Sequence, residues 1–385
     1  MNTLPTIKDI KKLKGTRVIL RLDLNVPIKN GRILETMRID RAISTIEYLV
    51  KRQAQIIIMS HIGEDGAMSL KPVCEYLSKI LNRKIQFISD FYTNSINNLE
   101  NSGIIMFENL RLNEGEIKND LVFSKHLASF GDIYINDAFA VSHRKHASIV
   151  GIPKYLPSYV GLLIIDEIKH LSLALNPQHP FLFILGGAKF ETKMPLMKKF
   201  CKIADQLFIG GVLANNFFHD QGIEVGVSVV DTYNFSLKPL LKTRKILLPQ
   251  DVIIKKDKNI IVKNIQDVAK DETIVDVGPE TIKKLELSIK KAKLIVWNGP
   301  LGYYEAGFDK ATIILLKMIA DKAGNKTKTI IGGGDTVAIV DKLSIANKFT
   351  FVSTGGGATL DFLVDGKLPG LDAISKSKKS RGKIR

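Results

Sequence analysis

Residues 37–63 read "MRIDRAISTIEYLVKRQAQIIIMSHIG", and this stretch decides the fold class because it carries two periodicities in succession. Its first part, residues 37–50, repeats apolar residues along one helical stripe, which predicts an amphipathic helix. Its second part, residues 55–60, is a short and nearly continuous apolar run, typical of a buried strand in a parallel sheet. The stretch therefore predicts one helix–strand unit.

The same alternation continues in both directions along the chain. Strands are predicted at 17–24, 55–60, 84–88, 103–107 and 132–135 in the first half, and at 181–185, 206–209, 246–248, 273–277, 294–297, 328–331 and 350–353 in the second. Strands that alternate with helices indicate βαβ units around a parallel sheet. We therefore predict an α/β protein with two doubly wound parallel-sheet domains.

The length of the chain supports two domains. A chain of 385 residues with 45% apolar composition exceeds the roughly 250–300 residues at which a single core stops growing. The boundary is predicted near residues 159–168, "YVGLLIIDEI", where a helix would join the domains as a hinge. We expect a first domain over residues 1–160, a second over 161–370, and a basic tail over 371–385 that would not fold alone.

Composition limits the possible classes of protein but does not identify the function. The formal net charge of +17 fits a nucleic-acid surface, an anionic small substrate or a lysine-rich exterior. Cys74 and Cys201 lie in apolar, helix-like segments and indicate neither a disulfide framework nor a metal site. Residues 1–15 lack an apolar signal region, and no run approaches the roughly 18 apolar residues of a membrane span. A cytoplasmic protein is expected.

The residues beyond the strands of the first half are hydrogen-bonding or cationic. They are Asp23, Asn25, Arg38, His61, Asn109, Arg111, His143, Arg144 and His146. Taken singly, each fits a surface arginine or a core histidine, but ligands of open parallel sheets bind beyond the carboxyl ends of strands. Because guanidinium groups bind carboxylate and phosphate bidentately, the set favours a small anionic substrate. A metal pair at His143 and His146 has little support, since no third ligand has suitable spacing.

The strands of the second half are followed mostly by glycine. The loops concerned are Gly186–Gly187, Gly210–Gly211, "WNGPLG" (297–302), "GGGDT" (332–336) and "TGGGAT" (354–359). Glycine at such joins lets backbone amides and helix amino termini approach phosphate oxygens closely. Several such loops in one domain predict a phosphate site. The sequence has neither a GxGxxG after its first strand nor a GxxxxGK[ST], which argues against a simple dinucleotide fold and a Walker-type kinase.

Taken in order, these motifs resemble those of phosphoglycerate kinase. The chain carries "RLDLNVP", "ENLR", "NDAF", "HRKH", "LGGAKFETK", "WNGP", "GGGDT" and "STGGGAT" in that sequence. The resemblance implies reversible phosphoryl transfer between 1,3-bisphosphoglycerate with ADP and 3-phosphoglycerate with ATP, using Mg²⁺. It also implies a monomer whose amino-terminal domain binds the acid and whose carboxy-terminal domain binds the nucleotide.

The resemblance assigns roles residue by residue. The acid would be bound by Asp23, Asn25, Arg38, His61, Arg111 and Arg144. The nucleotide would be bound by Lys189, Lys193, Gly210, Gly211, Pro300, Glu305, Gly333, Gly334, Asp335 and Thr336. Asp335 would also hold Mg²⁺, and Arg38 and Lys189 would be catalytic. Because the attacking carboxylate is ionised at neutral pH, no general base is needed, and catalysis would rest on positioning and on cations.

One departure from the family pattern lies in "SHIGEDG", residues 60–66. The family usually has an arginine that helps to bind the substrate phosphate where this chain has Glu64, followed by Asp65. The turn could point away while a neighbour such as Lys145 supplies the charge, the enzyme could bind its substrate weakly, or activity could be lost. Because the other residues that the chemistry requires are retained, loss of activity is the least favoured of the three.

Two other functions compete with the kinase. One is a catalytically weakened, nucleotide-binding scaffold that binds nucleic acid or another acidic partner through its positive charge and basic tail. The sequence has no basic motif interleaved with aromatic residues, which such proteins usually carry, so nucleic acid is not favoured as a partner. The other is an NAD-dependent dehydrogenase, which would need the missing dinucleotide motif. Turnover and salt-dependent binding to arbitrary RNA or DNA distinguish kinase from scaffold.

Overall fold

The computed structural model describes residues 4–90, 103–233, 236–324 and 326–377. The described chain forms two compact units, one made of residues 4–169 and 367–377 and the other of residues 170–366. Each unit has its own six-stranded parallel sheet, which confirms the predicted α/β fold with two parallel-sheet domains. Among the described helices, none is long and apolar enough to cross a membrane.

The first unit begins with short strands and alternating helices. In chain order these elements are β1 (Arg17–Leu22), β2 (Ile28–Lys29), β3 (Arg32–Ile33), α1 (Met37–Lys51), β4 (Gln55–Met59), α2 (Lys71–Ile80), β5 (Gln86–Ile88), β6 (Ile104–Phe107), α3 (Glu114–Lys118), α4 (Leu121–Ser129), β7 (Ile133–Asp137), β8 (Ser158–Val160) and α5 (Leu162–Leu175). The sheet has the order β5-β6-β4-β1-β7-β8, and β2 pairs with β3 in a separate hairpin.

Helices cover both faces of this sheet, which explains why its strands read as continuous apolar runs. Alternate residues of β1 enter different cores, as the period of two in a strand requires. Leu20 packs in one cluster with Ile46 of α1. Ile19 packs in the other cluster with Phe107 and Leu127. The carboxyl ends of β1, β4, β6 and β7 therefore meet at one edge, between two cores.

The second unit repeats this plan. Its elements are β9 (Phe181–Leu185), α6 (Phe190–Ile203), β10 (Gln206–Ile209), α7 (Val212–Asp220), α8 (Lys238–Leu241), β11 (Ile246–Leu247), β12 (Asp251–Lys256), β13 (Asn259–Asn264), β14 (Thr273–Val277), α9 (Pro279–Lys291), β15 (Leu294–Asn298), α10 (Lys310–Lys322), β16 (Lys328–Gly332), α11 (Gly334–Lys342), β17 (Phe351–Val352) and α12 (Gly357–Asp365). The parallel sheet has the order β11-β10-β9-β15-β16-β17.

The predicted strands all occur, with ends that differ from the prediction by at most two residues, but one of them belongs to a different sheet. Residues 273–277 form β14, which pairs antiparallel with β12 in a three-stranded sheet of order β13-β12-β14. Sequence reasoning also missed β2, β3, β8, β12 and β13. The residues of β13 are mostly exposed, including Ile260, Ile261 and Val262 in succession, so the strand lacks the alternation that marks one buried face.

The carboxyl-terminal part of the described chain returns to the first unit. There, α13 (Pro369–Ser375) buries Leu371 and Ile374. The amide of Gly370 donates to the carbonyl oxygen of Ser142 at 2.8 Å, and a Cβ on Gly370 would lie 2.9 Å from a side-chain carbon of Ile149. Burial of these apolar residues orders a helix at the start of the segment predicted as a tail. Residues 378–385 of that segment lie outside the described residues.

The two units differ slightly from the predicted domains. Residues 161–169 and 367–377 group with the first unit, whereas the predicted boundaries fall after residues 160 and 370. The start of α5 is held there by polar contacts, since the amide of Ile164 donates to Oδ1 of Asp137 at 3.1 Å. Helix α5 therefore begins in the first unit and ends in the second.

Candidate active site

Three of the predicted acid-binding residues form one hydrogen-bonded group in the first unit. Asp23 lies just after β1, and its Oδ2 accepts from Nη1 of Arg38 at 2.8 Å. The same nitrogen donates to the carbonyl oxygen of Asn25 at 3.3 Å. Oδ1 of Asn25 accepts from the amide of Gly63 at 3.0 Å. The guanidinium of Arg38, at the start of α1, is thus oriented on one side, and its side chain stays 33% exposed for a ligand.

The other predicted cations gather around His61, which follows β4. Burial, together with the charges of Arg21, Arg111 and Arg144, holds the pKa of His61 well below its usual value. His61 is therefore neutral at pH 7. Arg111 reaches the same loop, since its Nη1 donates to the carbonyl oxygen of Gly63. The structure thus brings His61, Arg111 and Arg144 together, as predicted, and we call these residues with Arg21 the arginine cluster.

Arg21 is a member of this cluster that sequence reasoning missed. It lies in β1 with only 1% exposure. Its Nε donates to Oγ of Ser148 at 2.8 Å, its Nη2 lies 3.2 Å from Nδ1 of His61, and its Nη1 donates to the carbonyl oxygen of Leu22. A signal was present in the sequence, because a charged residue inside the apolar run "RVILRL" needs buried partners.

His146 lies beside the same cluster. Burial, with the charges of Arg21 and Arg144, lowers the pKa of His146 to about 4. Its Nδ1 lies 3.9 Å from Oε1 of the fully buried Glu116. Among the described residues there is no group of three or more histidine, cysteine, aspartate or glutamate side chains arranged to hold a metal ion.

The acidic turn at residues 60–66 lies next to the arginine cluster. Burial and the charges of Arg144 and Arg21 lower the pKa of Arg111, while the carboxylates of Glu116 and Glu64 oppose this shift. Glu64 therefore acts electrostatically on a predicted substrate-binding arginine. Asp65 instead stabilises the turn, since its Oδ1 accepts from the amide of Ala67 at 3.1 Å. Nε of Arg111 is buried and has no hydrogen-bond partner in the described chain.

In the second unit, the glycine loops pack backbone against backbone. The amide of Gly187 donates to the carbonyl oxygen of Pro300 at 2.6 Å. A Cβ on Gly299 would lie 2.3 Å from the carbonyl oxygen of Gly186, and one on Gly211 would lie 2.7 Å from the amide nitrogen of Gly187. Gly299 and Gly211 also have positive φ angles, +93° and +63°. Glycine is required at both positions, and it holds the loops after β9, β10 and β15 together.

These loops border a cleft of about 350 Å³ within the second unit. Its lining includes the predicted residues Gly211, Pro300, Glu305 and Asp335. Apolar side chains such as Phe218 and Leu301 form much of the remaining wall. Gly210 lies behind the lining, and its amide donates to the carbonyl oxygen of Leu185 at 2.9 Å. A slot with apolar walls and carboxylates at its edge can hold a flat ring that carries polar substituents.

The two predicted lysines lie at the start of α6. Lys189 precedes the helix with a left-handed φ of +64°, and Lys193 is 8% exposed. Nζ of Lys193 donates to the carbonyl oxygen of Gly186. Burial lowers the pKa of Lys193 to about 8, the carboxylate of Asp335 opposes this shift, and the charge of Lys189 adds to it. Lys193, Lys189 and Asp335 therefore lie within electrostatic reach of one another.

The start of α11 completes this part of the site. Gly333 has a φ of +91°, and a Cβ there would lie 3.0 Å from the amide nitrogen of Gly299. A Cβ on Gly334 would meet no atom within 4 Å. The hydroxyl of Thr336 and Nδ2 of Asn298 are buried and have no hydrogen-bond partner in the described chain. Free helix amides beside unpartnered donors form a site suited to an anion.

Comparison with known proteins shows the family of the chain. A family model described as phosphoglycerate kinase matches residues 7–367. The phosphoglycerate kinase of Borrelia garinii is 38% identical, over 97% of this chain and 100% of its own length. That of Finegoldia magna is 40% identical, over 96% and 99%.

Solved structures agree as well. The phosphoglycerate kinase from Coxiella burnetii superposes with a TM-score of 0.82 at 36% identity, covering 97% of this chain and 99% of that one. The enzyme from Pyrococcus horikoshii gives a TM-score of 0.84 at 27% identity, over 97% and 98%. These matches confirm the resemblance seen in the motifs. The chain therefore belongs to the phosphoglycerate kinase family of phosphotransferases.

Proposed function

We propose that the two sites divide the phosphoglycerate kinase reaction between the two units. That reaction transfers a phosphoryl group reversibly between 1,3-bisphosphoglycerate with ADP and 3-phosphoglycerate with ATP. The first unit binds the phosphoglycerate and the second binds the nucleotide. The main support is that each unit gathers its own predicted residues, and that one set consists of charged side chains and the other of glycine loops around a cleft.

The acid is bound by cations at the edge of the first unit's sheet where the carboxyl ends of its strands meet. Arg111 and Arg144 supply positive charge for the carboxylate and phosphate of the ligand. His61 is neutral and acts as a hydrogen-bond donor or acceptor without charge. Asp23 and Asn25 orient Arg38 and leave part of its guanidinium for the acid. Arg38 is therefore the third cation proposed to contact the substrate, after Arg111 and Arg144.

The nucleotide is bound in the cleft of the second unit. Gly211 and Pro300 line the base-binding slot, Gly210 supports it from behind, and Glu305 is placed to bond the ribose hydroxyls. The phosphates are bound at the start of α6 and α11. The groups that bind them are Lys189, Lys193, the amides of Gly333 and Gly334, and the hydroxyl of Thr336.

The residues present also fit Mg²⁺. This ion is usually held by one or two carboxylates, by water and by the substrate phosphates rather than by a full protein cage. Asp335 provides one exposed carboxylate on the cleft, close enough to Lys193 to affect its pKa. Asp335 would hold the ion, which when bound neutralises negative charge on the phosphate oxygens.

Catalysis then depends on positioning and on cations. The attacking carboxylate of 3-phosphoglycerate needs no general base, because it is ionised at neutral pH. Arg38 and Lys189 face the transferring group and stabilise the charge of a loose transition state. Since the two ligands are bound by different units, they have to be brought together, and α5 is proposed as the hinge.

The remaining expectations concern the setting of the enzyme. We expect a cytoplasmic monomer that binds neither nucleic acid nor a membrane. Its two cysteines, Cys74 and Cys201, are free and buried, in keeping with a reducing compartment. Size-exclusion chromatography with light scattering tests the oligomeric state.

The test is ATP-dependent phosphorylation of 3-phosphoglycerate by the purified chain in a coupled assay, with the Arg144→Ala and Glu305→Ala variants alongside. We expect turnover, a raised KM for the acid alone in Arg144→Ala, and a raised KM for ATP alone in Glu305→Ala. If each variant changes the KM of the other ligand, the division is wrong. Retained ATP binding without turnover would instead favour the scaffold function.

A further inference from the structure

A chain of buried polar groups in the first unit ends at His61. It begins at Glu116, whose Oε2 accepts from the amide of Ser148 at 2.9 Å and whose Oε1 accepts from the Ser148 hydroxyl at 2.6 Å. Oγ of Ser148 accepts from Nε of Arg21 at 2.8 Å, and Nη2 of Arg21 lies 3.2 Å from Nδ1 of His61. Glu116 and Ser148 have no exposed surface, Arg21 has 1% and His61 has 3%.

The chemistry of arginine fixes the proton on His61. A guanidinium can only donate, so Nδ1 of His61 has to accept from Arg21. A neutral imidazole that accepts at Nδ1 carries its proton on Nε2. The contact therefore selects the tautomer in which Nε2–H is the donor, on the ring edge away from Arg21.

The orientation of Arg21 depends in turn on Ser148 and Glu116. The Ser148 hydroxyl has one proton, which it gives to Glu116, so its lone pairs are turned to accept from Nε of Arg21. A carboxylate is also the group that offsets the cost of burying a guanidinium, although here it acts across one hydroxyl. Each link in this chain thus has a single direction of hydrogen-bond donation.

We propose that Glu116, Ser148 and Arg21 are positioning residues for the acid, and that they hold His61 in the Nε2–H tautomer that donates to the bound phosphoglycerate. This inference rests on the proposed binding of the acid by the first unit. None of the three positioning residues is placed to touch the ligand, since Glu116 and Ser148 have no exposed surface and Arg21 has 1%.

The experiment compares Ser148→Ala with Ser124→Ala in the full-length enzyme. Ser124 is a matched control, because it is equally buried in the same unit and its hydroxyl donates only to the carbonyl oxygen of Asp120, at 2.6 Å. Loss of one hydrogen bond in the chain predicts that the dissociation constant of 3-phosphoglycerate rises about 2- to 10-fold in Ser148→Ala. The dissociation constant of ATP should not change, and Ser124→Ala should bind both ligands as the wild type does.

The second readout is the imidazole ¹⁵N spectrum of His61, assigned with a His61→Gln variant. In the wild type we expect Nδ1 without a proton and Nε2 with one, and in Ser148→Ala a mixture of the two tautomers. A loss of packing alone would lower stability without changing the tautomer. Wild-type affinity together with a wild-type tautomer in Ser148→Ala would overturn the proposal.

Two further variants make the result decisive. If Ser148→Ala does not fold, Arg21→Lys keeps the buried charge but cannot bond both Ser148 and His61 as a fork does, so it should show the same two changes. Arg144→Ala tests the underlying site, because it removes an exposed cation of the arginine cluster. If Arg144→Ala weakens acid binding while Ser148→Ala and Arg21→Lys do not, only the positioning chain is wrong. If none of them does, the first unit does not bind the acid.

Discussion

The two units have sheets of the same size and the same parallel pairing, yet they prepare for anionic ligands by different means. The first unit uses charged side chains, which need buried partners such as Glu116 and Asp23 to hold them. The second uses backbone, and its requirement is the absence of side chains at positions such as Gly299 and Gly211. A site built from side chains is therefore sensitive to changes in charge, whereas a site built from backbone is sensitive to changes in side-chain volume.

Removal of one cation from the first unit should have the largest effect. Arg38→Ala takes away a group proposed to face the transferring phosphoryl group, and loss of one such donor typically lowers kcat about 10²- to 10³-fold. We expect kcat to fall more than the affinity for 3-phosphoglycerate, because the interaction strengthens in the transition state. Steady-state kinetics with both substrates varied provide the measurement. An unchanged kcat would remove Arg38 from the catalytic role.

Addition of one methyl group tests the backbone site. Gly299→Ala places a Cβ 2.3 Å from the carbonyl oxygen of Gly186, so we expect the free energy of unfolding to fall by roughly 3 kcal/mol, together with ATP binding. Gly324→Ala is the matched control, because Gly324 has nearly the same φ, +94°, with no atom within 4 Å of its Cβ. In Gly324→Ala the free energy of unfolding should fall by about 1 kcal/mol, from backbone strain alone. Denaturant unfolding measures the stability of both variants, and calorimetry measures their ATP binding. Equal losses of stability in the two variants would mean that the close approach of Gly299 to Gly186 is unimportant.

The acidic turn offers a charge test of smaller size. Glu64→Arg should lower the KM for 3-phosphoglycerate about 10- to 100-fold, because it removes repulsion and adds a charge-assisted hydrogen bond. Glu64→Gln removes only the repulsion, of about 1 kcal/mol, and should lower KM about 5-fold. The KM for ATP should stay constant in both. If neither variant changes the KM for the acid, the side chain at position 64 does not reach the ligand.

The smallest expected effect is on the pH dependence of ATP binding and concerns Lys193, a buried lysine of the nucleotide site. Because the pKa of Lys193 is lowered to about 8, its ammonium is present below pH 8 and is lost as pH rises above it. We expect the KM for ATP to rise several-fold between pH 7 and pH 9.5 in the wild type. In Lys193→Met this rise should be absent and the KM high throughout. A flat wild-type profile would mean that bound phosphates keep Lys193 charged.

Much of the fold follows from local pattern. Buried strands such as β4 and β9 are recognisable in the sequence as apolar runs, since both faces of a parallel sheet are covered. The strands and pairings that sequence reasoning did not predict are those without such a pattern. The exposed strand β13 carries apolar residues on both faces. The sequence of β14 is typical of a parallel strand, although β14 pairs antiparallel with β12. Pairing depends on contacts between distant segments, which a local period does not contain.

For the candidate site, the sequence predicted which residues to examine but not their surroundings. Motifs located Arg38, His61 and Lys193, because their neighbours in sequence are distinctive. Their pKa values and hydrogen-bond partners were not predictable, since these depend on burial and on charged residues of other elements. Glu116 is an example, because nothing in "NEGEIK" distinguishes it from an exposed helix residue, yet the structure buries it completely. Likewise, only the fold shows that Glu64 acts on Arg111.

The return of α13 to the first unit has a consequence for synthesis. Residues 170–366 are translated without interruption, so the second unit has all its strands before residues 367–377 leave the ribosome. The first unit, although it is begun earlier, still lacks Leu371 and Ile374, which are buried in its structure. The usual amino-to-carboxyl order of folding is therefore reversed at the last step. The unit that starts first finishes last, and a chain ending at residue 366, once released from the ribosome, would contain every segment of the second unit while its first unit still lacked Leu371 and Ile374.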